Sequence, residues 1–580
     1  MKSPFSLLAA LVILMSALFL PGTDALPLMD RDEPRFARAT VEMMERGGWV
    51  IPYFNEAYRF DKPPLVYWWM WGHYWLLGEG GMAARLHSII AAAGVAVLLA
   101  LMGRRFFSGK AGGVAALTWL TSFQVLVHGR LCVADMPMVL AVTASQWALL
   151  ELLTGDPDQR PWRGWFWILW GSAGFGFLAK GPIAWLVPGL TLGLWRLLFW
   201  KKPLPWKHLQ AQWGWLVALL PVAAWGIPAL ILTKGEFWNT GMGEHVVKRG
   251  TAALNGRFSI PFYYVPAALL SLMPWIAWLP RCVARLRQAW DARLAFLTAW
   301  FLAPQIIFFF YATQLPHYPM PGFPAFFLIL GAVLTTSPAS SPGRAGWIYL
   351  GVIALAGLLI LGGSFWLEVP GMPGLSRLGQ LLGGLILCLS LTGMGVAWSR
   401  HRRAAGGAVL GGAVLGLAIV IGLLGPQLRS LHPLISVQPL LRAASPDPAR
   451  AVGVKSPEAI AWGYTEPSLV YYGARLWKFQ SRAAEVEKRL EKRRPAVAVT
   501  LYQEWTLTSW LKNGLPLGGV PPSRNGEAEH ARFLRAAGGA YELHWTTGLN
   551  PARSSIVKLA VWVRREPGTA PPAARKADRE

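Results

Sequence analysis

The chain predicts an α-helical polytopic membrane protein of about thirteen transmembrane helices, followed by a small soluble α/β domain. Three observations predict it. Hydrophobic residues make up 54% of 580 positions, with 32 Trp, and the mean hydropathy is +0.37, values of a membrane protein and not of a large soluble domain. Apolar runs of spanning length recur between short loops rich in Arg and Lys. Beyond residue 424 the apolar runs stop, charges become frequent and strand-like segments begin.

The spans follow in order at 5–21, 84–102, 111–128, 136–153, 163–179, 182–199, 212–233, 262–280, 294–312, 319–335, 346–366, 378–398 and 406–424. The first competes with a cleaved leader ending near PGTDALP; a retained helix is the reading adopted, because a polytopic chain needs its first span in place. One set of loops carries Arg104, Arg105 and Lys110, then Arg196, Lys201 and Lys202, then Arg281, Arg285 and Arg287, then Arg400, Arg402 and Arg403. The positive-inside rule places that set in the cytoplasm. The loop 22–83 and the tail from 425 then face the periplasm. The net charge of +25 therefore reflects membrane topology and not a nucleic-acid surface. Cys132, Cys282 and Cys388 have no metal-ligand spacing and read as buried apolar fillers.

Two outer segments, 31–62 and 234–257, carry cations against the topological bias, interleaved with acids, aromatics and prolines. In the first, Glu33 to Gly47 predicts an amphipathic helix with Phe36, Thr40, Met43 and Met44 on one face and a Gly-Gly stop. Glu33 suits the first turn of that helix as a capping acid, which leaves Asp32 for other work. After Asp61-Lys62 and Pro63-Pro64, the aromatic run Tyr67 to Trp71, with His73 and Gly78, predicts an interfacial helix.

In the tail, 449–455, 468–473, 496–502 and 554–565 read as strands and 483–492 as a helix; the last sixteen residues, REPGTAPPAARKADRE, have the composition of a disordered segment. The domains are thus 1–424 and 425–580, the second a lid or acceptor-facing module without an evident nucleophile or metal cluster.

The segments DRDEPRFARATVEMMERGGWVIPYFN and FDKPPLVYW resemble the start of the bacterial polyprenyl-phosphate-dependent glycosyltransferases. These are the membrane enzymes similar to the aminoarabinose transferases of lipid A modification and, more remotely, to protein O-mannosyltransferases. The likeness continues in order through AARLHS, GRLCVADMP, LAKGP, EHVVKR, LPHYPMPGFPA and GYTEPSLVYYGAR, nearly the whole chain. It implies a GT-C fold and inverting transfer of a sugar, 4-amino-4-deoxy-L-arabinose for the lipid A enzymes, from a polyprenyl-phosphate donor to lipid A. Another acceptor at the outer face, protein or glycan, stays open.

With that resemblance, the ionisable groups at helix ends on one face suggest a water-accessible cavity. Asp32 is the expected base or acceptor-orienting carboxylate and Asp135 its support. Arg35, Asp61, Lys62, Lys180, Lys248 and Arg249 are the expected donor-phosphate and sugar contacts, cations being what a lipid phosphate needs beside an apolar groove. Gln314, His317 and Tyr318 join them, although the family's loop carries a lysine where this chain has Gln314 and His317. Glu244 and His245 are the pair that a divalent metal ion would use, as an optional cofactor. A transporter or lipid flippase is the rival class; it predicts paired broken helices in repeated halves, and no such repeat is visible. A Gly-rich phosphate loop after a strand is absent too.

Overall fold

A computed structural model describes residues 4–155, 162–199, 206–241, 243, 262–336, 341–367, 372, 374–399, 403–444, 458–473, 476–506 and 522–565. Each expected span coincides with a helix or a broken pair of helices, but not all are of spanning length. Among the described residues seven helices are long and apolar enough to cross a membrane, and an eighth crossing counts if Tyr264–Ser271 and Trp275–Gln288, bent by 108°, form one broken span. Of the five expected spans not counted among these, Ala9–Phe19, Ile183–Leu198 and Met320–Thr335 are shorter apolar helices, 109–128 is two helices, Gly109–Leu120 and Phe123–His128, and Trp162–Lys180 is not among the seven.

The elements that position the site are α1 (Pro4–Phe19), α2 (Asp32–Arg46), α3 (Leu65–Leu77), α4 (Gly81–Phe106), α5 (Gly109–Leu120), α6 (Phe123–His128), α7 (Asp135–Thr154), α8 (Trp162–Lys180), α9 (Ile183–Leu198), α10 (Trp206–Leu209) and α11 (Ala211–Leu232). Lipid offers no hydrophobic drive between helices, so close approach does the work. At the α4–α5 crossing Gly103 faces the backbone of Gly112, where any Cβ would collide. Behind it Trp119, Phe327, Trp300 and Trp278 fill the bundle core.

The outer loop builds as its periodicity predicts. The apolar face of α2, with Phe36, Ala37, Thr40 and Met43, is buried, and Gly47 ends the helix at φ 63°, a conformation that suits glycine, with its N–H on the Met44 carbonyl. In α3, Val66, Tyr67 and Met70 pack on α2 while Trp75, Leu76 and Leu77 stay exposed. A short hairpin, β1 (Tyr53–Phe54) with β2 (Ala57–Tyr58), joins them.

The tail holds β3 (Glu458–Trp462), β4 (Trp477–Gln480), β5 (Pro495–Thr506), β6 (Arg524–Asn525), β7 (Tyr541–Asn550) and β8 (Ser555–Arg564). The sheet order is β4-β3-β5-β8-β7, with β6 on β5; β3 is parallel to β4 and β5, and β8 is antiparallel to β5 and β7. Helices Ala483–Glu491 and Glu527–Ala537 cover one face. The other face packs on Leu434, Leu441 and the helix Pro467–Gly473. That helix corrects the strand expected at 468–473. The four-residue apolar run Leu469–Tyr472, buried except at Tyr471, is too short to show a period, and Pro467 opens the helix. The strand expected at 449–455 and the last fifteen residues lie outside the described residues.

Four contacts tie this sheet domain to the outer loop. Asp30 accepts from Ser468 N–H at 2.8 Å, Tyr472 Oη accepts from Leu28 N–H at 2.9 Å, Asn55 exchanges two bonds with the Trp477 backbone, and Glu466 pairs with Arg31.

Candidate functional site: a lysine-lined cavity at the outer loop

The outer loop delivers its acids to different places. Glu33 is 2% exposed and accepts four hydrogen bonds: from Arg85 Nε at 2.8 Å and Nη2 at 2.9 Å, from Cys132 N–H at 2.6 Å and from Met29 N–H at 2.8 Å. Instead of only capping α2, it binds α2 to α4 and to the segment before α7. Asp32, one residue earlier, is exposed at the start of α2. Arg35 lies one turn on. Its guanidinium is held below the ordinary range, first by burial and then by Arg59, against the pull of Asp61 and Asp32.

Arg59 organises this group, and the sequence had not singled it out. Its side chain is 5% exposed, donates from Nε to Tyr67 Oη at 2.8 Å, pairs with Asp61 at 2.7 Å and lies over the Phe36 ring. Asp61 pairs with Arg59 and, with the next residue, Lys62, also lines a cavity of about 380 Å³ together with Phe60, Lys180, Trp225, Tyr311 and Tyr318. The lining is otherwise apolar. Leu186, Leu219 and Ile227, which line it, are 53%, 40% and 56% exposed, so the cavity opens sideways on the exposed apolar surface of α9 and α11.

At its inner end the Lys180 ammonium pairs with Asp135 Oδ1 and lies 5.4 Å from the Tyr318 ring centre. His317 Nε2 is 3.6 Å from the same carboxylate, and the His317 and His128 rings are 4.6 Å apart. Burial pushes the His317 imidazole down to about 3, against the opposing pull of Asp135, so it is neutral at ordinary pH. Gln314 sits in the same loop, 311–319, as His317 and Tyr318. His128 was not foreseen either; a lone histidine ending an apolar run reads as core.

The expected residues therefore fall in two groups: Asp32, Arg35 and Asp61 around Arg59, and Asp135, Lys180, His317 and Tyr318 at the cavity end. The dipeptide Asp61-Lys62 joins them. Glu244, His245, Lys248 and Arg249 lie outside the described residues. Among the described residues, one nitrogen each of His128 and His317 and a carboxylate oxygen of Asp135 lie within 4.8 Å of one another, close enough to hold a metal ion. They fit one poorly, because the Lys180 ammonium already pairs with the Asp135 carboxylate and a metal there would compete with that cation.

Residues 61–230 match the model of the dolichyl-phosphate-mannose-protein mannosyltransferase family. An undecaprenyl phosphate-α-4-amino-4-deoxy-L-arabinose arabinosyl transferase of Edwardsiella ictaluri is 28% identical over 493 residues, covering 80% of this chain and 85% of that protein. A protein of the same name from Yersinia pestis is 27% identical over 331 residues, 56% of this chain and 59% of its own length. Among solved structures, ArnT from Cupriavidus metallidurans bound to undecaprenyl phosphate aligns with a TM-score of 0.73 at 19% identity, over 96% of this chain and 98% of that one. Its apo state gives 0.71 at 20% identity. The chain thus has the GT-C fold of that protein along nearly its whole length, and the resemblance to the polyprenyl-phosphate aminoarabinose transferases carried by its motifs is borne out.

Proposed function

We propose that the chain is an inverting glycosyltransferase of the bacterial inner membrane, transferring 4-amino-4-deoxy-L-arabinose from undecaprenyl phosphate to lipid A at the periplasmic face. The observation that carries this reading is the cavity. It has an apolar wall open to lipid and ends in Lys62, Lys180 and Tyr318, which is the chemistry of a lipid phosphate: a tail that stays in the bilayer and a head that needs cations.

In this scheme Lys62 and Lys180 take the donor phosphate, with Arg35, Lys248 and Arg249 as further candidates. The acceptor oxygen attacks the anomeric carbon from the face opposite the phosphate; that carbon–oxygen bond forms as the bond to undecaprenyl phosphate breaks, with inversion. The departing phosphate keeps the electron pair, and the fixed cations stabilise it. A lipid A phosphate is already anionic and needs little deprotonation, so Asp32 orients the acceptor or the amino group of the sugar; a hydroxyl acceptor would use it as base. Asp135 holds Lys180 ready. No step depends on a divalent ion; Glu244 and His245 are the pair that would hold one. The sheet domain, clasped to the outer loop through Asp30, Asn55 and Glu466, serves as a periplasmic lid.

Lipid A from a strain lacking the gene, compared by mass spectrometry with the complemented strain, tests the reading. It predicts that an aminopentose on lipid A phosphate disappears and returns. Unchanged lipid A beside a changed protein or glycan would replace the acceptor.

A further inference from the structure

His128 ends a short apolar helix, where a histidine is most simply a filler, but its partners are polar. Ser271 Oγ donates to Gln124 Oε1 at 2.9 Å, and Gln124 Nε2 meets His128 Nδ1 at 2.6 Å, with all three side chains buried. An amide oxygen can only accept, so the amide nitrogen is the donor to Nδ1. A neutral imidazole whose Nδ1 accepts carries its hydrogen on Nε2. The same Ser271 Oγ lies 3.4 Å from the Pro316 carbonyl, in the loop bearing His317, as an alternative acceptor for its one hydrogen.

A metal ion would have to displace partners that this arrangement already holds. Nδ1 of His128 is engaged by Gln124, Nε2 carries the hydrogen, and Asp135 carries Lys180. What the cluster offers instead is a neutral donor beside a carboxylate. Asp135, Lys180 and His317, with Glu33 further off, are the charged and titratable groups that face His128.

We propose that Ser271, Gln124 and His128 form a positioning relay that holds His128 as an Nε2–H donor to the Asp135–His317 group, so that Asp135 stays ionised and in place when Lys180 turns to the donor phosphate. The relay rests on the proposed reading that Asp135 and Lys180 belong to the transfer site. A buried carboxylate that loses its partnering cation is strongly destabilised. A neutral N–H stabilises the carboxylate without drawing the phosphate away from the lysines, as a further cation would.

Gln124→Glu tests the tautomer. A carboxylate at 124 still accepts from Ser271 and now accepts from Nδ1–H, which turns Nε2 into an acceptor facing Asp135. The relay predicts that turnover falls about tenfold or more near pH 8 with the donor KM little changed, and recovers toward pH 6, where the imidazolium donates from both nitrogens. The parent enzyme shows no such recovery. His128→Gln, whose amide nitrogen reaches the Nε2 position, restores most of the turnover lost in His128→Asn, whose amide does not. A Gln124→Glu enzyme with the parent pH profile, or His128→Asn as active as His128→Gln, overturns the relay. Should Gln124→Glu fail to fold, the two His128 variants decide alone. Asp135→Asn is measured alongside: if it is inactive while the pH profile of Gln124→Glu is unaltered, the relay fails and the transfer site stands; if it is fully active, the site reading itself fails.

Discussion

Asp32 and Glu33 are adjacent, isosteric with Asn and Gln when neutralised, and placed in opposite environments, so they should fail in opposite ways. In Glu33→Gln one oxygen still accepts from Arg85 Nε and Cys132 N–H, but the new amide group meets two donors, Arg85 Nη2 and Met29 N–H. Arg85, fully buried, is left with its charge uncompensated. Breaking a buried pair from one side costs about 3–5 kcal/mol, far more than the roughly 0.3–1 kcal/mol of an acid that merely caps a helix. The assay is the apparent melting temperature in detergent, read by tryptophan fluorescence, beside the turnover rate of the fraction that remains folded. Glu33→Gln should lower the melting temperature by several degrees. Asp32→Asn should leave it nearly unchanged and abolish turnover. Adding Arg85→Met to Glu33→Gln should recover part of the loss, since the stranded charge is then gone. A Glu33→Gln protein as stable as the parent would refute the anchoring role, and an active Asp32→Asn would remove Asp32 from the site.

Other outcomes follow from the same geometry. Lys62→Ala should reduce transfer roughly 30- to 1000-fold, the scale of one charge-assisted contact in a partly desolvated site, and Lys62→Arg should recover little because a planar fork does not replace a point charge; near-parent turnover in Lys62→Ala refutes the phosphate contact. Asp30 is pushed up to about 7 from 3.8, first by burial, with Glu466 adding to it against Ser468 and Arg35. Because the folded state holds this proton more tightly, Asp30 contributes stability that is full below about 3.8 and is lost as pH rises to about 7. The melting temperature of the parent relative to Asp30→Asn should therefore fall between pH 5.5 and 8, and a constant difference would contradict the burial. Cysteines introduced at the exposed positions Glu45 and Glu542 should both react with an impermeant maleimide in spheroplasts; protection of both would invert the topology.

Local pattern made the outer loop legible. The apolar spacing from Phe36 to Met43 and the Gly47 stop give α2 within a residue at each end, and the aromatic run after Pro64 gives α3. Lys62, Lys180 and Tyr318 line one cavity although they stand far apart in the sequence. What escaped depends on partners distant in sequence. Nothing near Glu33 announces Arg85, fifty-two residues away. His128 acquires meaning only from Gln124 one turn back and Ser271 on another element. Arg59 looked like one more loop cation until Tyr67 and Asp61 closed around it. In the tail, β3, β4 and β7 were missed because Glu458–Trp462 and Trp477–Gln480 are too short to show a period, and Tyr541–Asn550 mixes polar residues on both faces.

Covalent transfer from a lipid phosphate is the central claim, and the purified protein with defined lipids tests it most directly. In proteoliposomes containing undecaprenyl-phosphate aminoarabinose and lipid A, the account predicts that undecaprenyl phosphate and aminoarabinosyl lipid A appear in equal amounts, with the anomeric configuration of the sugar inverted, and that Lys62→Ala and Asp135→Asn lose both products together. Donor that crosses the bilayer intact, with no sugar on any acceptor, would contradict it.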